Sequence, residues 1–553
     1  MKQYLFIFLL SFLYMSCKKD KPAPNPPATA PGFSVSAAAI DGSTIVNLKY
    51  DCKVQPVIKF SFSAAVDAAT VVPALNFRNA QGDLIAFQST MANGDSAINI
   101  SPSAALQALT KYTVSINTSL KSKAGGNLLA ALSINFVTQI DSSDKFPLIT
   151  EDELLTKVQE QTFKYFWDFG HPVSGLARER NTSGDVVTSG GSGFGIMAIP
   201  VAINRSFISR NEGLQRMQTI VAFLKNTAQI FHGAYPHWLN GNTGMAVPFS
   251  ANDNGADLVE TSYLITGLLC ARQYFDAATA VETTLRDDIN IIVNRVEWDW
   301  FRRGGQNVLY WHWSPTVDWA MNMQIRGWNE CLITYILAAS SATHSITPIV
   351  YQQGWKGGSG YTNGNTYYGY PLPLGPNLGG PLFFSQYSFL GVNPFGLQEG
   401  GVNFEMQTKN HALINYNYCK ANPLAHYGYS QLCWGLTASD IQNGYTASSP
   451  TNDVGVIAPT AAISSIPFTP AESMQALKFY YYKLGDKLFG QYGFVDAFSL
   501  KNQWFASSYL AIDQGPMIVM IENYRTGLLW NLFTSIPEIK SGMLSLGFTA
   551  PYL

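Results

Sequence analysis

The feature that most narrows what this chain can fold into is a change of hydrophobic period at Pro147. Residues 33–138 carry the short alternating runs VIKFSFSAAVD, SAINISPSAAL, KYTVSINTSL and SINFVT, broken by Gly, Asn and Asp. Alternation with a period of two, closed by turn residues, predicts a small all-β sandwich. After Pro147 the apolar residues recur at three and four. Four Ser/Thr-x-x-Glu patterns mark helix starts there: Thr150 with Glu153, Ser209 with Glu212, Thr279 with Glu282, and Thr469 with Glu472. In each, the hydroxyl can accept from the third backbone N–H while the Glu reaches back to the first. Helical spacing predicts about twelve helices, near 152–168, 191–204, 210–230, 256–275, 280–299, 325–340, 381–390, 400–421, 430–439, 471–489, 503–512 and 516–534. No alternating run interrupts them. A domain of this size cannot bury every apolar stripe in a simple bundle, so paired helices in a double ring are expected.

Residues 18–32 form a Pro-rich linker and residues 140–149 a second one, so the expected order is leader, spacer, sandwich at 33–139, and helical domain at 150–553. The leader, 1–17, has Lys2 followed by LFIFLLSFLYM, Ser16 and Cys17. It is too short for a permanent membrane span. The stretch SCKKDKPAPNPP resembles a bacterial lipoprotein signal. That resemblance implies lipidation at Cys17, a lipid anchor, and an outer-membrane location facing the periplasm or the cell surface. The sandwich, with its strand into Ala-Val-Asp and closing INFVT, resembles a bacterial Ig-like domain and is read as a spacer. The five other cysteines lack metal-site spacing, which disfavours both a disulfide framework and zinc.

Charge excludes one large class of partner. Asp, Glu, Lys and Arg make up 13% of the chain, matched by 13% aromatic residues, and the net charge is −2. A nucleic-acid partner would need basic patches for its phosphates. An uncharged ligand with faces to stack on fits better, and carbohydrate is the obvious choice. The aromatics cluster in connections: AYPHW at 234–238, EWDWF at 297–301 and LYWHW at 309–313. Residues 351–380 hold nine glycines, six aromatics and one charge, Lys356. Such a long loop suits a lid that stacks on sugars, or a loop pinned by its own rings.

Cutting a glycosidic bond takes a protonated acid and a second carboxylate acting as base or nucleophile. Glu260 lies in NDNGADLVETSYLITGLLCARQYF, in helical register with Leu264, Gly267, Leu268 and Ala271. No Lys or Arg occurs from Asn226 to Ala271, and Asp257 sits three residues away. An apolar setting and a like charge both favour the protonated form, which is what a general acid needs. Asp440 and Asp453 lie in a stretch, Lys420 to Lys478, with no basic residue between its ends. Their Gly, Ser, Thr and Asn-rich surroundings suit an ionised base, and Asp453 is preferred because Asp440 can cap its neighbours. Asp168, Glu330, Glu405 and Glu522 have Lys164, Arg326, Lys409 and Arg525 at helical distance, so structural ion pairs are expected. Glu179, between Arg178 and Arg180, is expected to position substrate, and Asp513 stays open. The histidines show no metal-ligand spacing, and GGSGFG at 190–195 lacks the strand-helix-strand context of a nucleotide site.

Read together, FWDFGHPVSGLARER, GGSGFGIMA, FHGAYPHW, DNGADLVET, VEWDWFRR, LYWHWSP, IRGWNECLITYILAASS, CWGLTASD, SPTNDVGVIAPTAA, LAIDQGP and IENYRTGLLW resemble the bacterial glucoamylase-like family that includes the endo-β-1,2-glucanases. The resemblance runs from about Thr150 to the C-terminus. It implies an all-α (α/α)6 barrel, secreted glycan breakdown, no cofactor and no metal. Carried over, the catalytic positions fall on Glu260 as acid and Asp453 as base for water, by inversion. The expected substrate contacts are Asp168, Arg178, Glu179, His237, Trp238, Trp311, Trp313, Glu330, Trp434 and Asp513. The expected partner is a glucan or gluco-oligosaccharide met by a monomer. Two alternatives stand beside endo action on β-1,2-glucan: exo or α-glucan hydrolysis in the same fold, and a glycan-binding lipoprotein without catalysis.

Overall fold

The computed structural model describes residues 30–553. Cys17 and the spacer up to residue 29 lie outside the described residues. The chain divides into two compact units between Gln139 and Ile140.

The first unit is a two-sheet sandwich. Its strands are β1 (Val35–Ile40), β2 (Ser43–Thr44), β3 (Leu48–Cys52), β4 (Ile58–Phe62), β5 (Leu75–Asn79), β6 (Phe87–Ala92), β7 (Ala97–Pro102), β8 (Lys111–Ile116) and β9 (Leu132–Thr138). One sheet runs β2-β1-β4-β7-β6 and the other β3-β9-β8-β5, with only β3 and β9 parallel. The alternation seen in the sequence is the packing rule: Ile58, Phe60 and Phe62 of β4 and Tyr112, Val114 and Ile116 of β8 point inward. Phe77, Tyr112 and Phe136 form an aromatic knot, with Tyr112 and Phe136 stacked at 5.6 Å.

The second unit is helical. Its helices of six residues or more are α1 (Glu151–Trp167), α2 (Ser189–Asn204), α3 (Arg210–Asn226), α4 (Leu258–Tyr274), α5 (Ala280–Asn294), α6 (Leu332–Ser340), α7 (Phe404–Ala421), α8 (Pro459–Ser464), α9 (Pro470–Leu488), α10 (Ala511–Thr526), α11 (Leu528–Thr534) and α12 (Pro537–Ser545). Helices α1, α3, α5 and α9 keep one stripe buried. In contrast, α2 is buried from Ser189 to Ala202 and α4 from Leu258 to Ala271. A helix apolar all round belongs in the interior. Helix α2 packs on α4 and α10, α4 on α6, and α8 on α10. Of two short 3-10 turns, Leu382–Ser385 touches α7 and Tyr387–Leu390 touches α10 and α6, and Gln386 between them donates to Ala461 O of α8 at 3.0 Å.

Glycine sets the closest of these contacts. A Cβ on Gly193 would lie 2.2 Å from Tyr263 O, and one on Gly267 2.2 Å from Gly193 O. Backbone therefore meets backbone, and the N-terminal turns of α2 and α4 come together. The GGSGFG run is helix-packing glycine. It does follow a strand, Val186–Thr188, but an antiparallel one.

Several expectations change. Residues 430–439 and 503–512 are not helices; they hold the strands Ala438–Ile441 and Trp504–Phe505. The segment 516–534 begins at Ala511 and breaks at Gly527, whose φ of 70° ends α10. Helix α8 is too short to leave a period in the sequence. Of the four capping boxes, those at Thr150 and Ser209 are complete. Glu282 turns instead to Arg210, 2.9 Å away, and Thr469 donates to Ser465 O. None of the four helical ion pairs forms among the described residues: Lys164 goes to Gln161, Arg525 to Asp152, and Glu522 takes Arg205 at 2.7 Å. The 351–380 loop is no lid. It folds into a π-turn and a hairpin, Thr362–Tyr367 with Tyr370–Leu374, and its Tyr351, Trp355 and Tyr361 are buried against one another and Tyr335.

Candidate active site

A cavity of about 620 Å³ opens where α2, α4 and α10 begin. Two small sheets aim side chains into it. In the first, β10 (Val186–Thr188), β11 (Trp238–Asn240) and β12 (Ala246–Val247) pair Thr188 with Trp238 and Trp238 with Val247. In the second, β13 (Ala256–Asp257) pairs with β14 (His312–Trp313), setting Asp257 opposite His312. β10 runs straight into α2 and β13 straight into α4, so residues at these strand ends and first helical turns form the wall.

Glu260 stands in the first turn of α4, 7% exposed, and lines the cavity. Its Oε2 accepts from the Gly190 N–H at 2.8 Å and from the Thr188 hydroxyl at 3.4 Å. Burial pushes its pKa up; His237 opposes this and Asp257 adds to it, and the balance is a raised value. The cation beside Glu260 is therefore a histidine, a residue type that counting Lys and Arg does not see. Asp257 caps α4, accepting from Val259 N and Glu260 N at 3.0 and 2.9 Å. Its other oxygen lies 3.2 Å from His237 Nδ1 and 3.6 Å from His312 Nε2, with Asp253 3.5 Å from His312. Burial works against the charged ring of His237, but Glu260, Asp257 and Asp253 outweigh it and raise its pKa to about 9. Asp253, pushed up by burial and by Asp257, reaches about 7, and Asp257 itself is lowered because His237 and His312 outweigh its burial. The ligand-capable atoms of His237, Asp253 and Asp257 lie within 4.8 Å of one another, a donor set that sequence spacing did not announce.

A second set of acids gathers on Arg180, which also lines the cavity. Arg180 Nε donates to both Glu179 oxygens at 3.1 and 2.9 Å, and its Nη1 to both Asp440 oxygens at 3.2 Å. Asp440 also accepts from Ser508 Oγ at 2.5 Å, and its backbone N–H donates to Asp496 at 2.6 Å. Asp513, next in sequence to the lining residue Ile512, is buried. Burial and the adjacent Asp496 drive its pKa far up, while Asp496, also buried, rises to about 7. Glu330, unpaired with Arg326, lines the cavity, and burial with the Glu260 charge lifts its carboxyl to about 7. Among the polar groups of the wall, Trp238 Nε1, Trp311 Nε1 and Tyr263 Oη have no hydrogen-bond partner.

Of the expected site residues, Glu179, His237, Trp238, Glu260, Trp311 and Glu330 line this cavity, and Asp440 and Asp513 stand behind its wall. The others are placed elsewhere. Asp453 is not part of the lining; its oxygens accept from Tyr418 Oη at 3.0 Å, Tyr429 Oη at 2.8 Å and Gly455 N at 2.9 Å, with His426 at 3.4 Å. Tyrosine hydroxyls, invisible to a reading of its loop, saturate it. Asp168 ends α1 at the surface. Arg178 braces backbone, donating to Gly184 O at 2.7 Å and Phe169 O at 2.5 Å. Trp313 packs with Trp300 at 5.6 Å and Phe231 at 6.0 Å, and Trp434 is buried with its indole toward Glu472 O. The sequence reading missed Arg180, Thr188, Phe249, Tyr387 and Tyr445 in the lining; only Arg180 carried a signal, its place beside Glu179.

A helical unit whose inner helices converge on a carboxyl-lined, aromatic cavity matches the family model described as "Putative glucoamylase" over residues 322–537, and residues 34–138 match the bacterial Ig-like domain model. The chain belongs to this glucoamylase-like family. Within it, the chain is 44% identical over 429 residues to an exo beta-1,2-glucooligosaccharide sophorohydrolase (non-reducing end) of Parabacteroides distasonis, covering 73% of this chain and 59% of that protein. It thus spans under two thirds of the length of that curated relative. The solved endo-beta-1,2-glucanase of Chitinophaga pinensis, with sophorotriose and glucose, is 50% identical with a TM-score of 0.71, covering 73% of this chain and all of the other. A beta-1,2-glucanase structure from Parabacteroides distasonis is 36% identical, also at 0.71, covering 94% of this chain and 74% of that one.

Proposed function

We propose that the chain is a glycoside hydrolase that cuts β-1,2-glucan internally, with Glu260 as the general acid. The observation that carries this is a buried carboxyl with a raised pKa, held by the Gly190 amide in the wall of an aromatic cavity. Such an acid keeps its proton until a glycosidic oxygen takes it. The second carboxyl group comes from the pair held by Arg180. Arg180 holds both, and Glu179 is the one that lines the cavity and reaches a bound water or sugar, while Asp440 is held further by Ser508 behind the wall. The unpartnered Trp238, Trp311 and Tyr263 donors suit sugar hydroxyls, and the rings around them suit sugar faces.

The helices fit an (α/α)6 barrel. Its inner ring is α2, α4, α6, the 382–390 turns, α8 and α10, each in contact with the next, with α10 returning to α2. Endo action is preferred because the endo-beta-1,2-glucanase is matched along its whole length. Exo action is the second reading, favoured by the sophorohydrolase at 44% identity. We further propose that the chain works as a monomeric lipoprotein anchored through Cys17 at the outer membrane.

The test is Glu260→Gln, which keeps shape and removes the transferable proton. Reducing-end release from β-1,2-glucan should fall about 10²- to 10⁴-fold, with binding of the glucan retained. Turnover within tenfold of the parent would dismiss Glu260 as the acid. Product lengths over time separate the two modes, since an internal cutter releases mixed oligosaccharides early and an exo enzyme releases disaccharide alone.

A further inference from the structure

Two large rings of the cavity lining are half in water, Phe249 at 50% exposed and Tyr445 at 49%, and of these Phe249 is the one stacked on His237. Scattered exposed apolar residues are ordinary. This one is built in. It follows β12 by two residues, and Val247 of β12 pairs with Trp238. Its backbone closes a tight turn, Phe249 N and Ser250 N both donating to Asp253 O at 2.9 and 3.2 Å, while Asp253 N donates back to Ser250 O. Asn254 ties the turn to the next loop through Thr316 at 2.9 Å and Ser314 at 2.6 Å. The ring is stacked on His237 at 4.3 Å and 23°, and meets Trp238 at 4.8 Å. His237 thus covers one face of the ring, and half of the residue stays in water. The tethered loop adds Val317, Met321 and Met323, each between 38 and 43% exposed, and Met323 O accepts from the N–H of Trp311 in the cavity wall. An exposed ring fixed in the lining of a site marks a place where a ligand can lie.

From this we propose that Phe249 is the platform of an outer subsite, stacking a glucosyl unit of the chain that continues out of the enclosed cavity. The inference rests on the glucan reading above and deepens it. A ring already fixed by stacking and by a closed turn loses little freedom when a sugar settles on it, so its contribution goes into holding the polymer. The ring recognises chains longer than the cavity encloses and bears on KM for polymer, while the bond-breaking step stays with Glu260.

Phe249→Ala and Phe249→Trp are compared with the parent on polymeric β-1,2-glucan and on the shortest β-1,2-gluco-oligosaccharide it cuts. Phe249→Ala should raise the ratio of polymer KM to oligosaccharide KM about tenfold, and Phe249→Trp should restore it. In the Glu260→Gln background the same change should weaken polymer binding in calorimetry by a similar factor. An unchanged ratio, or equal losses in kcat on both substrates with a shifted pH profile, overturns the subsite and leaves Phe249 as a brace for His237. A parent that releases no reducing ends from β-1,2-glucan is a different failure: it removes the substrate reading, and the subsite with it.

Discussion

Gly190→Ala isolates the geometry of the acid from the stability of the fold. A Cβ at this position would lie 2.4 Å from Glu260 Oε2, 2.9 Å from its carboxyl carbon and 2.8 Å from Tyr263 Cδ2. Ordinary contact begins near 3.4 Å, so the carboxyl tip must retreat by about 1 Å and give up its 2.8 Å bond from the Gly190 amide. The tip of a glutamate moves cheaply, and the gain of about 1 kcal/mol from Ala over Gly inside a helix offsets the small shift demanded of the buried Tyr263 ring, so the melting temperature should stay within a few degrees of the parent. Catalysis has no such latitude. A misplacement of about 1 Å costs on the order of 10²-fold, roughly 2.7 kcal/mol on the barrier. Losing the amide bond also removes a contact that favours the ionised carboxyl, so the alkaline limb of the rate profile should move to higher pH. Initial rates of reducing-end release and a thermal melt on the same preparations decide it. A rate within threefold of the parent refutes the idea that Gly190 sets the acid, and a rate loss that merely follows a collapse in melting temperature refutes the separation of the two effects.

Other expectations follow from the same contacts. Asp453→Asn should cost about 2–4 kcal/mol in denaturant unfolding, since two tyrosine hydroxyls and the Gly455 amide lose a charged acceptor, while kcat stays within a few-fold. A collapse of kcat at unchanged stability would return Asp453 to the chemistry. His237 has a folded pKa raised from 6.5 to about 9, so its ion pairing stabilises the fold fully below about 6.5 and is lost as pH rises through about 9. Melting temperature should decline across that window, and His237→Gln should flatten the decline; an unaltered slope in the variant assigns it to another group. Dialysis against EDTA should leave the rate unchanged, because the His237 imidazolium already balances Asp257. Loss of rate restored by a divalent cation would make His237, Asp253 and Asp257 a metal site instead.

How much of this could be read from the chain depends on whether the relevant contact is local. The sandwich was legible because β4 and β8 bury every second residue. Helix starts at Thr150 and Ser209 were legible because a capping box closes within four residues. Glu260 stood out because the helix around it is apolar on all sides. What failed was pairing at a distance. Arg205 reaches Glu522 across 317 residues and outcompetes Arg525, and Arg210 draws Glu282 out of its capping box across 72. Asp453 looked solvated in its loop, yet Tyr418 and Tyr429 come from 35 and 24 residues away. Short elements suffered for a related reason: α8 was lost, and the helix expected at 381–390 is two 3-10 turns, because elements buried among their neighbours need no period of their own.

The acid's state is a difference between opposing effects, and that is why the glycines matter as much as the carboxyl. Burial raises the pKa of Glu260, but the site also surrounds it with positive potential: its own helix N-terminus, the Gly190 amide of a second helix, and the His237 ring. A deeper acid without these would be permanently protonated and unable to take its proton back. A more exposed one would lose the proton near the ordinary carboxyl range. The backbone contact of α2 with α4, possible only because Gly193 and Gly267 lack side chains, fixes how far the second helix end sits from the carboxyl. Widening it by one methyl at Gly267 would withdraw the Gly190 amide and leave burial in control. The raised pKa is thus set by helix packing three turns deep as much as by the residues that face the cavity.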